Sequence, residues 1–113
     1  MVLLKVYGHI YPADRRLEQA LADALTGAIT DPISDDIPLI SRNKDMLTIS
    51  FEGITFPEEE VIAIVKAQHT SEQKGRLDVL DIDNWRMRRY TIDAQGVFLR
   101  SAPLNNVLDY SGF

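Results

Sequence analysis

The chain of 113 residues contains no cysteine, which excludes a disulfide framework, a thiolate metal site and a cysteine nucleophile. Five prolines and six glycines are too few for a low-complexity or collagen-like chain. Histidine occurs only at His9 and His69, so no imidazole pair stands at metal-ligand spacing. There is no Gly-x-Gly-x-x-Gly run, no Walker loop and no Gly-x-Ser-x-Gly elbow, the motifs that seat phosphates or a serine nucleophile. No apolar run approaches the roughly 20 residues a membrane helix needs. The opening Met1-Val2-Leu3-Leu4-Lys5-Val6-Tyr7 is too short for a signal peptide and is interrupted by Lys5. These absences predict a soluble, cytoplasmic chain without membrane attachment, metal site or cofactor.

What is present is ordinary globular material: 45% hydrophobic, 26% charged, with 17 acids against 12 Lys plus Arg for a formal charge of -5. A chain of this length buries roughly two-thirds of the surface exposed when unfolded. That suffices for one core, and residues 1–113 read as a single domain without linker or internal repeat. The charge is uneven. Residues 31–60 carry eight acids and two bases, whereas residues 61–113 carry seven bases and six acids. An acidic mid-section repels phosphate backbones, which disfavours a nucleic-acid partner.

The hydropathy pattern predicts the order β-α-β-β-α-β-β-β-α. Val2 to Tyr7 reads as a strand covered on both faces or lying centrally, broken by Gly8-His9-Ile10-Tyr11-Pro12. A helix follows with Pro12 or Ala13 in its first turn and Asp14 against the helix dipole. Its apolar stripe is Leu17, Ala20, Leu21, Ala24 and Leu25, and Gly27 is the stop. Residues 28 to 38 read as loop because of two prolines and three aspartates. Leu39 to Ser41 predicts a short edge strand, and Met46 to Glu52 a half-buried one with Leu47, Ile49 and Phe51 inward.

Thr55 stands three residues before Glu58, the spacing of a capping box, with Pro57 in the first turn of a helix running to about His69. Leu77 to Ile82, Trp85 to Ile92 and Val97 to Arg100 predict a meander, turned at Asp93-Ala94-Gln95-Gly96 with Gly96 at positive φ. A short helix over Leu104, Val107 and Leu108 closes the chain. The predicted fold is therefore α+β: a mostly antiparallel sheet of five or six strands, two main helices on one face in a two-layer sandwich, and a short C-terminal helix.

Four groups of residues have chemical content. Arg86, Arg88 and Arg89 lie close to Trp85 and Tyr90 and, with His9, form a candidate anion-binding set. The plainer account pairs these arginines across the sheet with the aspartates of the preceding strand. A regular strand turns Arg89 to the face opposite Arg86 and Arg88, so either a bulge re-aims it or it is paired there. Of Asp78, Asp81 and Asp83, an extended segment puts Asp81 and Asp83 on one face and Asp78 on the other. Adjacent carboxylates at that spacing would suit Mg²⁺, against a plainer reading of Asp83-Asn84 as a turn and Asp81 as solvent-facing. His9 and His69 read otherwise as surface or capping residues. Tyr110 and Phe113 are large apolar groups near the terminus that either pack back on the sheet or cover a partner.

No nucleophile–base set is legible, so the expected function is that of a non-enzymatic interaction or accessory protein. A homodimer joined through a strand edge or the terminal segment is one form of it, and another protein is the alternative partner. A small-anion binder or enzyme using the arginine cluster is the competing reading.

Overall fold

The structure, a computed structural model, describes residues 3–26, 29–30 and 39–104. The strands are β1 (Leu4–Tyr11), β2 (Ile29–Thr30), β3 (Ile40–Asn43), β4 (Met46–Thr55), β5 (Lys74–Asp81), β6 (Arg86–Asp93) and β7 (Gly96–Pro103). The helices are α1 (Arg15–Leu25) and α2 (Glu58–Ala67). All strand pairs are antiparallel, in the order β2-β4-β1-β5-β6-β7, and β3 shares the outer edge of β4 with β2. The fold is thus α+β with one sheet six strands wide and two helices. The expected helix over residues 104 to 108 falls, apart from Leu104, outside the described residues. No helix among the described residues is long and apolar enough to cross a membrane.

The first strand does not stop at Tyr7. It runs through Gly8 to Tyr11, with Gly8 opposite Ile49 on β4 and Leu77 on β5. Here glycine is required by close approach rather than by a turn. A Cβ at Gly8 would come within 2.6 Å of the Arg76 carbonyl oxygen and Leu77 Cδ1, and one at Gly75 within 2.3 Å of the His9 carbonyl oxygen. Pro12, unable to donate to a ladder, follows the end of the strand.

Helix α1 begins at Arg15, later than Pro12, because Asp14 is the N-cap: its carboxylate accepts the Leu17 amide at 2.8 Å. Leu17, Leu21, Ala24 and Leu25 are buried, as their spacing predicts.

Helix α2 lacks the expected capping box. Thr55 is the last residue of β4, the cap position is Pro57 without a side-chain hydrogen bond, and the Glu58 carboxylate is engaged by Arg88 and Tyr90 instead. Ile29 and Thr30, expected as loop, pair with Thr55 and Gly53. Both residues are β-branched, which suits a strand.

Alternation along the strands separates two faces. Val6, Ile49, Phe51, Leu77 and Val79 join Leu17, Leu21, Val61 and Val65 from the helices in one buried cluster. Burying such side chains contributes about 1.5–3 kcal/mol each before entropy is counted. The alternate residues, including Tyr7, His9, Tyr11, Thr48, Arg76 and Asp78, point away from that core and line a depression on the far face. Trp85, expected inside β6, sits in the β5–β6 turn with φ 54°. Asp81 holds that turn by accepting the Asn84 amide at 3.1 Å and its side-chain nitrogen at 2.8 Å. Gly96 turns the β6–β7 hairpin with φ 142°, a conformation that favours glycine.

Candidate functional site

The three arginines of β6 do not converge. Arg88 projects on the core side, where its Nε and Nη2 donate to Glu58 Oε2 and Oε1 at 2.8 and 2.6 Å. The Tyr90 hydroxyl donates to the same carboxylate. Burial pushes the Glu58 carboxyl up, but the hydrogen bonds from Arg88 and Tyr90 outweigh it and hold Glu58 below its ordinary value. Burial, reinforced by Glu58, raises the Tyr90 phenol to about 12. This trio fastens the start of α2 to β6.

Arg89 points to the other face, with no bulge in the β5–β6 register. Its Nε and Nη2 donate to Asp78 Oδ1 and Oδ2 at 2.6 and 2.8 Å, the two residues being direct cross-strand partners. Arg86, exposed at the start of β6, is the cross-strand partner of Asp81. The aspartates are likewise dispersed. Asp78 serves Arg89, with Arg76 Nε 3.7 Å away. Asp81 holds its turn, and Asp83 accepts the Leu3 amide at 3.0 Å. Among the described residues no three His, Asp or Glu side chains gather as a metal site would require. His69 Nε2 lies 2.6 Å from the Asp93 carbonyl, tying the end of α2 to the β6–β7 hairpin. Tyr110 and Phe113 lie outside the described residues.

His9 and Arg89 share the face away from the helices, and this face carries the more distinctive arrangement. Tyr7, His9 and Tyr11 occupy alternate positions of β1 and line one depression of about 450 Å³. The rings of His9 and Tyr11 are stacked within 18° of parallel, with centroids 5.9 Å apart. On one flank Ser50 and Thr48 of β4 stand opposite Tyr7 and His9; on the other, Asp78, Arg76 and Lys74 of β5 stand opposite Tyr7, His9 and Tyr11. Tyr7 donates its hydroxyl to Glu52 at 2.8 Å, and Lys5 Nζ is 3.5 Å from the same oxygen. Burial first, then Glu52, raises the Tyr7 phenol to about 12. Arg76 continues into a second hollow with Arg89, Thr91 and Arg100.

The aromatic row was readable in Tyr7-Gly8-His9-Ile10-Tyr11, whose alternation is that of a strand. Treating Gly8 as a break hid it.

The two sheet edges differ. The outer edge of β4 is occupied by β3 at Met46–Ile49 and by β2 at Gly53 and Thr55. β7 pairs only with β6 among the described residues. Its central residues Phe98 to Ser101 are all exposed, Phe98 at 50% and Leu99 at 57%. Leu99 also lines a groove with Val97, Tyr90 and the α2 residues Glu59, Ile62, Ala63 and Lys66. The chain is matched by no protein-family model, by no curated protein and by no solved structure.

Proposed function

We propose that the chain is a non-enzymatic interaction protein that assembles by pairing β7 with the β7 of a second copy. In this reading both helices form one layer and the sheet the other, a two-layer sandwich whose sheet continues across the interface. The contrast between the two edges carries it. One edge is blunted by two short strands, whereas the other offers an eight-residue strand with adjacent large apolar side chains exposed on opposite faces. An edge strand that is paired on one side only among the described residues is a template for strand addition.

A second copy fits better than an unrelated strand because the pairing is self-complementary. A two-fold axis near Leu99 sets each Phe98 ring opposite the partner's Arg100, a favourable cation–aromatic contact. It also sets Leu99 against the partner's Leu99, extending the groove beside Ile62 and Ala63. Support for a non-catalytic role is that Glu58, Asp81 and His69 are each held by structural hydrogen bonds.

Light scattering over a concentration series tests the assembly. The expected result is a mass rising to that of a dimer, and a Leu99→Glu variant that stays monomeric with an unchanged circular dichroism spectrum. A wild-type chain still monomeric at about 1 mM, where even millimolar affinity would show, refutes it.

A further inference from the structure

We infer that the sheet face around Tyr7, His9 and Tyr11 is a binding site for a nucleotide, its base lying on the aromatic row and its phosphate on Arg76. This site is independent of the β7 pairing, since it lies on the central strand β1, flanked by β4 and β5.

Three observations converge on that ligand class. The first is the row itself. Tyr7 and Tyr11 are 41% and 42% exposed although they stand mid-sheet. His9 and Tyr11 are stacked on one another within 18° of parallel, and the exposed rings of Tyr7 and Tyr11 leave π surface that a base can join. Every nucleobase has a matching face, and stacking on aromatic side chains is how open sheet faces hold bases.

The second is the shape and chemistry of the walls. Thr48 and Ser50 are small and hydroxyl-bearing, which leaves a hollow of about 450 Å³, within the roughly 300–1,000 Å³ of small-molecule sites. A purely apolar partner would leave those hydroxyls without hydrogen bonds; a base edge or a ribose supplies them.

The third is the placement of charge. Arg76 is the direct cross-strand partner of His9, which sets a guanidinium in the lining of the same depression as the rings. Lys74 and Arg89 lie on the same face. Asp78 stands between Arg76 and Arg89. Each of these arginines already makes interactions, so a phosphate binds by exchanging for them, and affinity is modest. Of the acids between residues 31 and 60, Glu58, Glu59 and Glu60 are on α2, across the sheet from this face, whereas Glu52 is on it, bound to the Tyr7 hydroxyl and beside Lys5.

Close packing beneath the row keeps it in register. Gly8 and Gly75 flank the His9–Arg76 pair, and neither position has room for a Cβ.

The test uses the full chain with four probes: AMP, adenosine, inorganic phosphate and a short fluorescent single-stranded oligonucleotide. AMP or the oligonucleotide should bind, with adenosine and phosphate each at least about tenfold weaker, because ring and phosphate contacts add. A preference for AMP assigns a free nucleotide and a preference for the oligonucleotide a single strand; both uphold the site. Tyr11→Ala and Arg76→Ala should each weaken binding about tenfold, with His9→Ala as the check if either perturbs folding, while Glu60→Ala on α2 should not. The inference is overturned if neither AMP nor the oligonucleotide binds. It is equally overturned if all three folded variants bind as the wild type does.

Discussion

Asp78 and Arg89 face each other across β5 and β6 and join through two parallel hydrogen bonds of 2.6 and 2.8 Å, with side chains only 17% and 12% exposed. The pair converts a guanidinium that strand alternation forces off the core side into a cross-strand clasp.

Replacing Asp78 by Ala leaves the Arg89 guanidinium poorly solvated and without its carboxylate. Because two charge-assisted hydrogen bonds are lost at a largely buried guanidinium, the expected loss is about 2 kcal/mol or more. Urea unfolding of D78A measures it. A change inside about 0.5 kcal/mol, the range of an exposed pair, would mean the clasp contributes nothing.

Glu58 is held below its ordinary pKa in the folded state. Its stabilisation is therefore fully present above the unfolded carboxylate value of about 4.3 and is lost as pH falls through the lower folded value. Glu58→Gln should lose about 1–3 kcal/mol near neutral pH, and the gap to the wild type should close in acid. Paired urea titrations across that window check the sign. A gap that widens in acid contradicts the network.

At Gly75 a Cβ would lie 2.3 Å from the His9 carbonyl oxygen, an atom of the backbone that cannot swing aside. Gly75→Ala should therefore destabilise by about 2 kcal/mol or more through forced strand separation. Thermal or urea unfolding reads this directly. A neutral or stabilising substitution would show that β1 and β5 do not approach as described.

The fold was legible where the pattern was local. Leu17, Leu21, Ala24 and Leu25 mark α1 by spacing alone, and Asp93 to Gly96 mark the hairpin by turn chemistry. It was misread where a tertiary contact overrode local chemistry. Gly8 is a strand residue because β5 presses against it, and Thr55 fails as a cap because Arg88 and Tyr90, thirty and more residues away, take the Glu58 carboxylate. The arginine set was half legible. Alternation placed Arg89 opposite Arg86 and Arg88, but which acid met each depended on register and helix placement that no single strand encodes. Arg76, the cross-strand partner of His9, was not singled out, since only the β1–β5 register brings them together.

Amide hydrogen exchange at two protein concentrations tests the proposed assembly residue by residue. Strand addition at β7 should raise protection with concentration at alternate amides between Val97 and Ser101, leaving the β2 and β3 side unchanged. Identical exchange rates along β7 in dilute and concentrated samples would contradict it.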